Sequence, residues 1–216
     1  MDILDPAGVY MLIQFLRGCK LSFKVKDHYY KKAKKEKFVA RSIFKLEEID
    51  QKFRLLKKSD FVVDFGYYPG SWIQYTTKKI TEGQIRGIDI QPVNPKLAVN
   101  ERVKLYQMDI FDIQDLSDVD VDRKFDIVLS DMAPKTTGIK MVDQAKSIQL
   151  VEKVFDILPT FLVPGGHFVI KVFDSNDAQQ FLKSQKKRFE SFNYLKPKST
   201  RDVSKEFFVI GKSYIE

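Results

Sequence analysis

The sequence predicts an α/β fold: a single doubly wound, mostly parallel sheet with helices on both faces. Two observations predict it. Short apolar runs alternate with longer stretches of helical periodicity, the pattern of consecutive βαβ units. The runs also end in glycine or aspartate, residue types suited to a ligand edge at the point where strand order reverses. No internal repeat or low-complexity linker divides the 216 residues, so one domain is expected.

The elements follow in order. Ile43, Leu46, Ile49 and Phe53 recur on one helical face, which leaves Arg41 and Lys45 together on another. Residues 61–65 form an apolar run ended by Gly66, the signature of a buried strand. A helix is expected over 71–79, with strands at 85–90, 103–107 and 125–130. Residues 142–161 are helical in period through Ile148, Val151, Val154, Ile157 and Leu158, and Pro164-Gly165-Gly166 stops that helix. A fifth strand begins with residues 167–170, a helix covers 177–189, and a late strand lies at 207–210.

Charge is unevenly distributed. The net of +8 divides into +7 over residues 1–60, −4 over 61–180 and +5 over 181–216. A near-neutral body with basic ends suits a polyanionic partner, whereas a lysine-rich solvated surface would give the same totals. One cysteine, Cys19, excludes an internal disulfide. The apolar stretch 9–16 is too short to span a bilayer and follows Asp2 and Asp5, where a secretory leader would be basic. A cytoplasmic location without membrane association is therefore expected. Residues 1–23 are read as an extension of unknown role and 24–216 as the functional domain.

The chemistry gathers at strand ends. Asp64-Phe65-Gly66-Tyr67-Tyr68-Pro69-Gly70-Ser71-Trp72 follows the first strand, and glycines at 66 and 70 let the backbone approach a ligand. It is neither a P-loop nor a G-x-G-x-x-G turn. Asp89 ends the second strand and can accept hydrogen bonds from a ribose diol, while Asp109, after the third, can accept an adenine amino proton. Asp131 follows the fourth. Candidate cofactor residues are taken as these positions and their immediate neighbours in the strand-end motifs: Asp64, Gly66, Pro69, Gly70, Trp72, Asp89, Ile90, Asp109, Ile110 and Asp131. His28, His167 and Cys19 form no metal-ligand cluster, and no metal is expected.

Three motifs carry a resemblance to a known family. They are Asp64-Phe65-Gly66-x-x-Pro69-Gly70-x-Trp72, Ser130-Asp131-Met132-Ala133-Pro134, and the run from Gly165-Gly166 through Lys171 to Phe173. With Arg41-Ser42-x-Phe44-Lys45-Leu46 upstream and Lys196-Pro197 through Glu206 downstream, the chain resembles the FtsJ family of RNA ribose 2′-O-methyltransferases from about residue 26 to 212. The resemblance implies a Rossmann-like methyltransferase fold, S-adenosylmethionine as cofactor, and a Lys-Asp-Lys-Glu tetrad falling on Lys45, Asp131, Lys171 and Glu206. Taken one at a time, Lys45 reads equally as a solvated helix charge, Asp131 as a turn cap and Glu206 as an edge charge. Lys171 sits inside an apolar strand, where an unpartnered lysine is rare.

The resemblance also implies methylation of a uridine ribose in large-subunit rRNA. Three other readings stand beside it: a tRNA ribose methyltransferase, a non-catalytic RNA-binding or ribosome-assembly factor on the same scaffold, and a small-molecule methyltransferase, which the basic ends of the chain disfavour. Lys171 is the expected general base. An ordinary lysine is charged at neutral pH, a second amine favours loss of that proton, and carboxylates oppose the loss. Stabilisation of a developing alkoxide by a charged lysine therefore stays open as a second role. RNA contacts are assigned to Lys31, Lys32, Lys34, Lys35, Lys37 and Arg41, joined by Lys196, Lys198 and Arg201, with Tyr29 and Tyr30 as stacking candidates. The sequence departs from the family at Tyr67 and Tyr68, where small residues are usual, and at Ser71, often glycine. Two bulky rings in a cofactor turn require that one of them point away or cover the ligand.

Overall fold

Val62 and Val63 are neighbours in sequence but belong to different hydrophobic cores, because successive side chains of a strand point to opposite faces. The computed structural model describes residues 28–97, 100–135, 137–201 and 203–215. The helices, in chain order, are α1 (His28–Lys35), α2 (Ile43–Phe53), α3 (Ser71–Lys79), α4 (Lys140–Phe161) and α5 (Asn176–Gln185). The strands are β1 (Phe61–Phe65), β2 (Gln84–Asp89), β3 (Val103–Gln107), β4 (Phe125–Ser130), β5 (Leu162–Phe173), β6 (Phe189–Leu195) and β7 (Glu206–Tyr214).

They form one sheet in the order β3-β2-β1-β4-β5-β7-β6. The first five strands of that order run parallel, and β7 is antiparallel to both β5 and β6. On one face, Val151, Val154, Phe155, Leu158 and Phe161 of α4 pack against Val63, Phe65, Val128, Phe168 and Ile170. On the other, α2 and α3 bring Leu46, Ile49, Trp72 and Ile73 onto Val62, Ile127, Leu129, Val169 and Phe208. Both faces of the central strands are covered, which is why those strands read as unbroken apolar runs.

Four local expectations are corrected. β2 ends at Asp89, and Ile90 is exposed beyond it. Pro164-Gly165-Gly166 does not separate α4 from β5; it lies inside β5 as a bulge. The β4 pairing jumps there from Phe125↔Leu162 to Ile127↔His167, and Gly165 takes a φ of 80° that other residues avoid. Residues 177–189 do not form one helix. α5 stops at Gln185, and Phe189 opens β6, a strand that short-range periodicity does not disclose. Phe189 is held by Phe168, with ring centroids 4.7 Å apart, and by Tyr214 at 5.2 Å, so tertiary contact decides its state. The late strand is longer than its apolar centre, and Glu206 is its first residue.

Residues 24–37 contain α1 over 28–35; expectations for residues 1–27, including Cys19 and the 9–16 stretch, lie outside the described residues. No helix among the described residues is long and apolar enough to cross a membrane.

Candidate active site

Strand order reverses between β1 and β4, and at the carboxyl ends of β1 to β4 lies a cleft of about 430 Å³. Gly66, Asp89, Asp109 and Asp131 line it, each following or ending a different strand, with Ile90 and Ile110 beside them. This is where a doubly wound sheet binds ligands. Asp89 is fixed from behind: Tyr68 N–H donates to Oδ2 at 2.9 Å and Gln91 N–H to Oδ1 at 2.8 Å. Asp109 Oδ1 accepts from Phe111 N–H at 3.0 Å. Each carboxylate oxygen keeps accepting capacity for a ligand. Gly66 has a φ of 76°, and a Cβ there would collide with the Met132 side chain. Only glycine lets these two cleft walls approach so closely.

The remaining candidates of the cofactor turn have other places. Gly70 packs on Leu97. Trp72 is buried beside Phe208 and donates its indole N–H to the Ser42 carbonyl at 2.9 Å. Neither they nor Pro69 lines the cleft. Asp64 is wholly buried behind Gly66, and neither of its carboxylate oxygens has a hydrogen-bond partner among the described residues. Burial, together with Asp131 and Asp89, pushes its carboxyl well above the usual range. Burial without donors favours the neutral form of this carboxyl, so the negative charge at the cleft comes from Asp89, Asp109 and Asp131, which line it. Tyr67 is buried in the α2–α3 core, whereas Tyr68 is exposed and lines the cleft, so the two tyrosines divide between packing and cover. Lys146, Gln149 and Leu150 of α4 complete the wall. No sequence motif marks these three, although their spacing of three and four puts them on one helical face.

The four tetrad positions come from α2, the end of β4, β5 and the start of β7, and their side chains meet. Lys45 Nζ lies 2.5 Å from Glu206 Oε1 and 4.0 Å from Asp131 Oδ1. Lys171 Nζ lies 3.0 Å from the same Asp131 oxygen and donates a hydrogen bond to the Asp131 carbonyl at 2.6 Å. The β5–β7 register, with Lys171 opposite Phe208 and Phe173 opposite Glu206, carries residues 171 and 206 to this end of the sheet. Charges alternate along the chain Glu206, Lys45, Asp131, Lys171. Their side chains are 7–16% exposed, so the pairing is little weakened by solvent.

Burial raises the Glu206 carboxyl, but the Lys45 ammonium, with Lys171 and Ser204, outweighs it and holds the group below its ordinary value. A depressed carboxyl contributes stability that is complete above its unfolded value and is lost as pH falls through the folded one. The stability advantage of the native chain over Glu206→Gln is therefore expected at neutral pH and should shrink as the solution is acidified below the normal carboxylate range. Denaturant unfolding at stepped pH measures it, and an advantage that persists unchanged at acid pH would contradict the pairing.

A second cavity, about 340 Å³, is lined by Arg41, Ser42, Lys45, Arg201, Ser204 and Glu206. Lys45 and Glu206 thus face one cavity and Asp131 the other. The closing segment is tied to α2: Lys198 N–H donates to Glu48 at 2.8 Å and the Arg41 guanidinium to the Ser199 carbonyl. Lys196 donates to the Ser204 carbonyl at 2.7 Å. Lys31, Lys34, Lys35 and Lys37 are exposed on and after α1, and Lys32 lies over the Phe44 ring at 4.3 Å. Tyr29 packs on Phe44 and is an anchor for α1, while Tyr30 is exposed. The basic ends of the chain, remote in sequence, are joined through α2.

A nucleoside-sized cleft at the switch point, abutting a buried chain of two amines and two carboxylates, defines a group-transfer enzyme of the doubly wound class. The FtsJ-like methyltransferase model matches residues 38–214. A protein of Bdellovibrio bacteriovorus named Ribosomal RNA large subunit methyltransferase E is 46% identical over 198 residues, covering 89% of this chain and 99% of the relative. A protein of the same name from Brachyspira hyodysenteriae is 41% identical over 196 residues, covering 88% and 97%. The crystal structure of a ribosomal RNA methyltransferase from Plasmodium falciparum superposes with a TM-score of 0.70 at 26% identity, covering 82% of this chain and 99% of that one. The chain belongs to the FtsJ-like methyltransferase family.

Proposed function

We propose that the protein methylates a ribose 2′-hydroxyl of RNA, most specifically a uridine of large-subunit rRNA, using S-adenosylmethionine. The observation that carries this reading is the position of the tetrad between two cavities, one fitted to a nucleoside cofactor and one opening among basic side chains. The relatives' names supply the RNA class. The cofactor reading is supported by Asp89 and Asp109, which line the cleft and suit a ribose diol and an adenine amine.

Bound there, the cofactor supplies a methyl group on a positively charged sulfur, an electrophile that needs only a nucleophilic oxygen in line with it. The Lys171 amine, in its proton-free form, would accept the 2′-hydroxyl proton as the ribose oxygen gains the methyl group and the carbon–sulfur bond breaks to leave a neutral thioether. Asp131 holds the Lys171 amine in place through its carbonyl and carboxylate. Lys45, braced by Glu206, donates to the acceptor ribose from the second cavity. Arg41, Arg201 and the α1 lysines hold phosphates and position the strand without reading sequence.

Incubation with methyl-labelled cofactor and large ribosomal subunits lacking the modification tests the function. The expected label is on the 2′-oxygen of one rRNA uridine; label on tRNA alone, or none, would refute it. Replacing Lys31, Lys34 and Lys35 together by alanine should weaken RNA binding and lower the salt slope by about 2 to 3, near 0.9 for each phosphate that the lysines no longer neutralise. Equilibrium binding between 50 and 200 mM salt (roughly the range over which such contacts are read) checks this, and an unchanged slope would remove α1 from the interface.

A further inference from the structure

We infer that Ser42 and Ser71 form a clasp that couples occupancy of the cofactor cleft to the aim of Lys45; the inference rests on the methyltransferase reading above. Ser71 opens α3, directly after the cofactor turn, and Ser42 precedes α2, three residues before Lys45. Their hydroxyls share a hydrogen bond of 2.6 Å. The Ser42 carbonyl accepts two further bonds, from the Trp72 indole N–H at 2.9 Å and from the Lys45 amide N–H at 3.0 Å. A continuous set of bonds therefore runs from the head of α3, through Ser42, to the backbone of Lys45, whose ammonium then meets Glu206.

Ser42 stands at the N-terminus of α2 in a helical conformation, φ −61° and ψ −17°, whereas a capping serine, which accepts from an amide of the first turn, has extended angles. Ser42 makes no such bond here. The hydroxyl is directed across to Ser71 instead and links the two elements. Ser71 is buried, 2% exposed, so one end of the link is shielded from solvent. Ser42 also lines the second cavity. The clasp thus joins the turn at one cavity to the wall of the other, and Ser42 and Ser71 are positioning residues that act through Lys45.

The test compares Ser42→Ala, Ser71→Ala, the double variant and Ser42→Thr with the native chain. Each single alanine is expected to lower the single-turnover transfer rate about tenfold, and the double variant to fall no further, because the two changes break one interaction. Cofactor affinity by calorimetry should stay within about twofold, since neither hydroxyl lines the cleft. Ser42→Thr, which retains the hydroxyl, should restore the rate. Hydrogen exchange supplies a readout independent of turnover. In the native chain S-adenosylmethionine should slow exchange of the amides at 43–46 as well as those at the cofactor turn; in Ser71→Ala the protection should remain at the turn and vanish from 43–46. Additive losses in the double variant, or protection at 43–46 that survives Ser71→Ala, would overturn the clasp while leaving the methyltransferase reading intact. A native chain that neither binds the cofactor nor transfers label would overturn both.

Discussion

Substitution of Lys171 by alanine is expected to reduce methyl transfer by about 10²–10⁴-fold, the range that positioned proton transfer contributes, while cofactor affinity changes by no more than about twofold. The two effects separate because Lys171 contacts Asp131 but does not line the cofactor cleft. Lys171→Arg should be nearly as inactive as the alanine variant. A guanidinium keeps the positive charge and can stabilise an alkoxide, but it does not release its proton in a protein and cannot accept another. Single-turnover label transfer and calorimetric titration of both variants measure the effects. Substantial activity in Lys171→Arg would reassign the residue from proton acceptor to charge stabiliser, and an active alanine variant would remove it from the chemistry.

Asp131→Ala should be damaging in two ways at once. Its carboxylate stands 3.0 Å from Lys171 and 4.0 Å from Lys45, so its removal leaves two largely buried ammonium groups with Glu206 as the nearer counter-charge to only one. Loss of one partner from a buried ion pair costs about 3–5 kcal/mol, and the variant should unfold at distinctly lower denaturant concentration. Asp131 also lines the cofactor cleft, so cofactor affinity should fall with the rate, in contrast to Lys171→Ala. A variant of native stability, or one with unaltered cofactor affinity, would show that the carboxylate does not serve both cavities.

Strands β1 and β4 are legible in the sequence because burial on both faces leaves a compositional trace, the apolar runs at 61–65 and 125–130, and helical period bounds 71–79. β6 leaves no such trace. It is an edge strand, and its state depends on Phe168 and Tyr214, which lie 21 and 25 residues from Phe189 in sequence. The bulge at Gly165 likewise reads as a stop, because Pro-Gly-Gly ends a helix and kinks a strand with equal ease.

The site divides in the same way. Sequence determined which residue types stand at the strand ends, since Gly66, Asp89, Asp109 and Asp131 each follow a recognisable apolar run, and the motif resemblance assigned the tetrad positions. Only tertiary structure decided that Tyr67 turns inward and Tyr68 outward, that Trp72 serves α2 rather than the cofactor cleft, that α4 supplies a wall, and that Ser42 gives its hydroxyl to Ser71. The physical reason is range. Strand burial and helical period are encoded within a few residues, whereas the direction of a side chain at a turn, and the partner it finds, are set by elements that the chain brings together from far apart.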